Sequence, residues 1–267
     1  MESNDRMVVL LPGVRGRQFI RRMILFSSRL DKKESRIRRM FSATAPRYDL
    51  LNHLLSLNID KYWRKKLVSF VPVRAGGPVL DLCTGTGDVA LAYDRTYQGK
   101  ITILAADFCT EMLEIANQKV KKAGASERVM IVEADAQAVP CADNYFEIAV
   151  VSFGLRNVTD PYRGLDEMIR VVRPGGRVAI LEFSQPKHWF FGRMYRLYFR
   201  LLLPLIGQMI SRNRDSAYRY LPASVLEFPS GEGFAAILKQ RGLVDVWHIP
   251  FTFGIASLYV GRKPEVA

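Results

Sequence analysis

Val79-Leu80-Asp81-Leu82-Cys83-Thr84-Gly85-Thr86-Gly87-Asp88 reads as an apolar strand carrying an acid, a glycine-containing turn, and the first residue of a helix. The glycines allow a tight turn and close approach of backbone to a ligand. Outward from this stretch the same rhythm repeats. Residues 78–83 precede a helix from Asp88, and residues 101–106 precede a helix from Glu111. Then come residues 129–133, residues 146–152 with a helix near 165–172, and residues 177–183. Nearly continuous apolar strands that alternate with helices predict a parallel sheet covered on both faces. Two last strand-like runs, 244–250 and 256–262, follow a helix around 232–240 and can pair antiparallel at the sheet edge.

The flanks break this alternation. Residues 31–70 have helical periodicity: Ile37, Met40 and Phe41, a polar turn at 42–46, then Tyr48, Leu50, Leu51, Leu54, Leu55 and Leu57. A second helix, 59–70, should turn Tyr62, Trp63 and Leu67 inward. Residues 185–231 form a long insertion in which Trp189, Phe190, Phe191, Tyr195 and Tyr198 are interleaved with Arg193, Arg196 and Arg200. Such an insertion either packs on the core or closes over a site at the strand ends. The expected organisation is a basic arm (1–30) and one α/β domain (31–267), with a helical cap at 31–75 and the insertion at 185–231.

The acids restrict the ligand. Gly85-x-Gly87-x-x-Ala90 formally matches a dinucleotide fingerprint, in which the turn holds a pyrophosphate. Asp81 and Asp88 flank that turn, however, and two carboxylates oppose a phosphate pair. They suit a ligand with a cationic end, such as the ammonium and sulfonium of S-adenosylmethionine, so NAD is not expected to bind. Asp107 ends the second strand, where an acid can accept from both ribose hydroxyls. Asp135 follows the third, within reach of an adenine amino group. Each acid taken alone could be a helix N-cap. All three at successive strand ends address an amino acid, a ribose and an adenine in order.

These residues resemble a known family. VLDLCTGTGD, AADF, EADAQAVP, FEIAVVSFGLRNVTD and RVVRPGGRVAILEFSQP are similar to class I S-adenosylmethionine-dependent methyltransferases of the UbiE type, with a Rossmann-like sheet. The resemblance runs from about Ile37 to Gly261. It includes IRRMFSATAPRYDLLNHLLSLNIDKYWR before the core and SAYRYLPASVLEFP in the insertion. It implies C-methylation of a prenylated quinol ring in menaquinone or ubiquinone biosynthesis. It also implies that Asp81, Gly85, Thr86, Gly87 and Asp107 serve the cofactor, that Asp135 and Ala136 border the adenine, and that Ser152 lies against the cofactor. Tyr48 and Arg156 fall in the motifs nearest the quinol. A guanidinium does not give up its proton in proteins, so Arg156 is not itself a base; it can stabilise a phenolate or acidify a water. The alternatives are an ion pair with Asp160 for Arg156, a packed ring for Tyr48, and a packed or surface position for His53. Cys83 departs from the general pattern, which often has glycine there.

Composition agrees with an enzyme of this kind. The 267 residues are 49% hydrophobic and 24% charged, which excludes a disordered chain or a collagen-like fibre. Cys83, Cys109 and Cys141 form no CxxC pair, and three histidines lack ligand spacing, so a reducing compartment and no metal are expected. The net charge is +13, and residues 1–40 hold eleven Lys/Arg against four acids. That arm suits anionic lipid headgroups or nucleic-acid phosphates. The apolar run 201–210 is half the length of the ~20 residues a spanning helix needs. A cytoplasmic enzyme touching the inner face of a bacterial membrane is expected, with no nucleic acid partner; a homodimer is compatible. The competing readings are a nucleic-acid methyltransferase and a non-catalytic assembly subunit.

Overall fold

The computed structural model describes residues 33–74, 76–186 and 217–265, with positions 189 and 193. The basic arm and most of the insertion therefore lie outside the described residues.

Among the described residues, three helices precede the sheet: α1 (Glu34–Thr44), α2 (Tyr48–Leu55) and α3 (Ile59–Phe70). Pro46 sits in a single 3₁₀ turn between the first two, where its missing N–H costs nothing. Trp63 and Leu67 of α3 are buried as expected, but Tyr62 points outward. The apolar face of α3 is one stripe wide, and Tyr62 lies on its far side.

The core alternates: β1 (Val79–Leu82), α4 (Asp88–Tyr97), β2 (Ile103–Asp107), α5 (Thr110–Lys122), β3 (Val129–Glu133), β4 (Phe146–Ser152), α6 (Pro161–Val171) and β5 (Val172–Phe183). Then follow α7 (Ala217–Glu227), α8 (Glu232–Gln240), β6 (Val244–Phe251) and β7 (Ala256–Arg262). The seven strands lie in the order β3-β2-β1-β4-β5-β7-β6. β1 to β5 are mutually parallel, and β7 runs antiparallel to both β5 and β6. The antiparallel pair does form at the sheet edge, with the reversed strand one place in from the outermost.

β5 begins five residues earlier than the sequence rhythm suggests. Val172 pairs with Phe146, and a register shift before Ile148 absorbs Pro174-Gly175-Gly176. α6 correspondingly starts at Pro161, behind an Asp160 N-cap that accepts from the amides of Tyr162 and Arg163. Both faces of the central strands are dry. One packs Val79, Ile103, Ile148 and Val150 against α3 and α4, and the other packs Leu80, Ala149, Val151 and Ile180 against α6 and α8.

Candidate active site

Strand order reverses between β1 and β4, so the connections leaving their C-terminal ends diverge and leave a crevice. A cleft opens there, with an empty volume of about 660 Å³ counting its mouth. Its floor is Cys83 and Gly85 after β1, Asp107 and Phe108 at β2, Asp135, Ala136 and Gln137 after β3, and Ser152, Phe153 and Asn157 after β4. Ile37 and Phe41 of α1 and Tyr48 of α2 roof it. The sequence-predicted Gly85, Asp107, Asp135, Ala136, Ser152 and Tyr48 thus converge on one cavity.

The Asp107 carboxylate is buried and accepts from the Gly85 amide at 2.8 Å and the Cys109 amide at 3.0 Å. Burial raises its pKa, and backbone donors from Cys109, Gly85 and Phe108 only partly offset this. An ionised carboxylate offers about four acceptor sites, so Asp107 retains capacity toward the cleft. Asp135 is turned onto Gln137, whose amide N–H donates to it at 2.9 Å. The Ser152 hydroxyl and the Asn157 carbonyl oxygen line the same cleft, buried and without a protein partner. Buried polar atoms of this kind call for a ligand or water.

The glycines make the floor thin. Gly85 is left-handed (φ 57), and the Tyr48 ring lies 3.9 Å from where a Cβ would stand. Cys83 shares the left-handed conformation (φ 52), unusual for a residue with a side chain. Its Cβ occupies the space beside Gly154, where an added Cβ would come within 2.4 Å of it. Gly154 in SFGLRN is therefore the counterpart of Cys83.

Asp81, Thr86 and Gly87 act from behind the cleft rather than lining it. Asp81 accepts from the Thr84 hydroxyl (2.6 Å) and the Ala90 amide (3.0 Å), fixing the turn, and burial pushes its pKa up to about 7. Its carboxylate does not border the cleft, so any influence on a cationic ligand is through the field. Gly87 (φ 81) N-caps α4 where a Cβ would meet Ala116 at 3.3 Å. The Thr86 hydroxyl donates outward, to Asp49.

That bond belongs to a network the sequence reading missed. Lys119 of α5 donates to Asp49 at 2.9 Å and also pairs with Asp88, while Arg64 pairs with Asp60 and, at 3.6 Å, with Asp88. Asp60 also accepts from Ser56 at 2.6 Å and meets His53 at 2.9 Å. Burial opposes charge on Asp88, but Arg64 and Lys119 outweigh it and hold the carboxyl below its ordinary pKa. His53 is thus half-buried in a structural pair with Asp60, not in the cleft. The one forewarning was that Asp49 directly follows Tyr48.

Arg156 is buried and does not pair with Asp160, which is occupied capping α6. Its Nη1 donates to both oxygens of Glu182, each at 3.0 Å, and to the Phe153 carbonyl. The guanidinium lies 5.1 Å from the Phe183 ring centre, and Nε is buried without a partner. Glu182 is fully buried; burial raises its pKa and Arg156 lowers it. Arg156 stands beside the cleft through its neighbour Asn157 rather than in its lining. Tyr48 is pushed above the ordinary phenol range by burial, so it stays neutral at physiological pH and is no base in the resting enzyme.

The residues fit S-adenosylmethionine better than a dinucleotide. Glu34, Asp107 and Asp135 line the cleft, and no Lys, Arg or His does so among the described residues. Such a field attracts a sulfonium and an ammonium, and repels a pyrophosphate. A solved S-adenosylmethionine-dependent methyltransferase from Aquifex aeolicus superimposes with TM-score 0.54 at 19% identity, covering 74% of this chain and 88% of that one. The cyclase SpnF does so with TM-score 0.55 at 16% identity, covering 85% and 96%. A cyclase on this architecture shows that the fold alone does not carry the chemistry.

Closer relatives do. The ubiquinone/menaquinone biosynthesis C-methyltransferase UbiE of Geobacter sp. (strain M21) is 47% identical over 88% of this chain and 99% of its own. The demethylmenaquinone methyltransferase of Thermus thermophilus is 44% identical over 84% of this chain and all of its own. The ubiE/COQ5 methyltransferase family model matches residues 29–263. The chain belongs to the ubiE/COQ5 methyltransferase family.

Proposed function

We propose that this enzyme, a methyltransferase of quinone biosynthesis, converts demethylmenaquinol to menaquinol by methylating a carbon of the prenylated quinol ring. Menaquinol formation is favoured over a ubiquinol precursor by the relatives named for demethylmenaquinone. Asp107 and Ser152 would hold the ribose end of S-adenosylmethionine, Asp135 and Ala136 the adenine, and Gly85 the amino acid. When bound, that cofactor supplies an electrophilic methyl on sulfonium.

A ring carbon is a poor nucleophile until a neighbouring hydroxyl loses its proton and electron density enters the ring. This chain's part is alignment and stabilisation of the phenolate. The observation that carries the reading is the buried Arg156 beside the cleft, charge-compensated by Glu182 yet with Nε unpartnered. A fixed, desolvated guanidinium stabilises an oxyanion more strongly than a solvated one does. Because Arg156 always keeps its proton and Tyr48 stays neutral, the phenolic proton leaves through water. Tyr48 roofs the ring side of the cleft and excludes bulk solvent.

The prenyl tail keeps the substrate in lipid, so the enzyme meets a bilayer surface from outside; no described helix is long and apolar enough to cross one. The test is incubation with labelled S-adenosylmethionine and reduced demethylmenaquinol, a reduced demethylated benzoquinol, or a polynucleotide. Label in the naphthoquinol alone is the expected result. Label in the polynucleotide would overturn the reading.

A further inference from the structure

The outer face of α2 and α3 places large apolar side chains in water. Leu50, Leu54 and Leu57 are 64%, 48% and 77% exposed, a stripe running along α2 into the turn after it. Tyr62 of α3 is 52% exposed, and Phe253, in the turn between β6 and β7, is 67% exposed. That turn is tied to α3 by a 2.8 Å bond from the Trp63 indole N–H to the Thr252 hydroxyl. Phe253 is held outward by a left-handed backbone (φ 57), a conformation a bulky residue adopts only under constraint.

The exposed charges of residues 45–74, which build α2 and α3, have one sign. Residues 45–74 contain only two acids: Asp60 is buried, and Asp49 is bonded to Thr86 and Lys119. Lys61 and Lys65 are exposed, and Lys66 stands between the Tyr62 and Phe70 rings, 5.6 and 6.0 Å from their centres. Leucines, aromatic rings and lysines without exposed carboxylates make the composition of an interfacial surface. A second copy of the chain would bring the same lysines face to face.

We propose that this face docks on an anionic lipid surface. Leu50, Leu54, Leu57 and Phe253 enter the acyl boundary, and Lys61, Lys65 and Lys66 meet headgroup phosphates. The inference rests on the quinol reading. α2 carries Tyr48 into the cleft roof and Leu50 and Leu54 into the proposed lipid contact, so one helix joins the bilayer to the site.

The experiment uses the full chain, with vesicles of phosphatidylcholine with and without phosphatidylglycerol. Variants are Leu54→Glu with Leu57→Glu, and separately Lys61→Glu with Lys65→Glu. Wild type should partition to the anionic vesicles. The leucine variant should bind at least about tenfold more weakly, and the lysine variant should lose its preference for anionic lipid. Both should methylate a soluble, tail-less demethylnaphthoquinol at the wild-type rate. Partitioning equal to wild type in both variants would overturn the docking surface. So would a wild-type dimer that the leucine variant dissolves, which would assign the face to a second copy. Wild type that methylates no quinol, tailed or tail-less, would overturn the quinol reading while leaving the vesicle result to stand or fall by itself.

Discussion

The Thr86 hydroxyl donates a 2.6 Å hydrogen bond to Asp49, joining the glycine-rich turn to a helix 37 residues earlier in the chain. Lys119 closes the other side of the same carboxylate. Tyr48, next in sequence, is thereby set over Gly85. Asp49→Ala should weaken S-adenosylmethionine binding by roughly fivefold to thirtyfold, the loss of one or two net hydrogen bonds at about 1 kcal/mol each. Asp49→Asn, which can still accept from Thr86, should recover part of it. Calorimetric titration checks this; unchanged affinity in both variants would reduce the network to scaffold.

Asp107→Ala removes the buried acceptor facing the cleft. Hydrogen bonds to a charged group contribute about 1.5–3 kcal/mol, so cofactor affinity should drop at least about tenfold, while wild type and variant alike ignore NAD. An Asp107→Ala enzyme that titrates like wild type would mean the ribose lies elsewhere.

Asp81 makes stability depend on pH in a definite direction. Its folded pKa, about 7, lies above that of an unfolded aspartate, so its contribution is fully present below about pH 4 and is lost as pH rises through about 7. Asp81→Asn can still accept from Ala90 and Thr84 and does not titrate. The variant should melt at a temperature that falls less than wild type's between about pH 5 and pH 8. Parallel melting curves across that range would remove Asp81 from the account.

Arg156→Lys keeps a charge but loses the planar guanidinium, whose Nη1 reaches both Glu182 oxygens and the Phe153 carbonyl. Turnover should fall on the order of 10²–10³-fold with cofactor affinity nearly intact. Glu182→Gln leaves the guanidinium buried and uncompensated, so it should also destabilise the fold, by roughly 3–5 kcal/mol. Rate, cofactor affinity and denaturant midpoint measured on one preparation separate these effects. Normal turnover in Arg156→Lys would make the pair purely structural.

Cys83 and Gly154 can be tested as a pair. Gly154→Ala alone places a methyl within 2.4 Å of the Cys83 Cβ and should destabilise, by about 1–3 kcal/mol for an overpacked core position. Adding Cys83→Gly removes the obstruction and the left-handed strain together, so the double variant should recover much of the loss. A double-mutant cycle with no coupling would contradict the contact.

The parallel sheet was legible because strands dry on both faces are nearly continuous apolar runs, as in residues 146–152, where Glu147 is the one charged residue. The start of β5 was not, since Arg173, Pro174 and the two glycines look like a loop until Val172 is seen pairing with Phe146. The acids at strand ends were legible in position, but not in direction. Asp107 and Asp135 face the cleft, whereas Asp81 turns back onto Thr84 and Ala90. Glu182 ends a strand by the same rule and went unread, because its meaning depends on Arg156, 26 residues away. Lys119 and Asp49 were invisible for the same reason: an ion pair between distant helices leaves no periodic signal.

The carboxylates around the cleft also determine what Cys83 is chemically. A thiolate beside a sulfonium is an alkylation target, and an enzyme carrying one would consume its own donor and block its own floor. Burial, first, and then Asp107, Asp81, Glu182 and Asp135 raise the Cys83 pKa well above the usual thiol value. A protonated thiol is a poor nucleophile. The charge arrangement that draws a methyl cation equivalent into the cleft therefore keeps the thiol in its floor inert toward it, and the enzyme tolerates cysteine where glycine would carry no such risk.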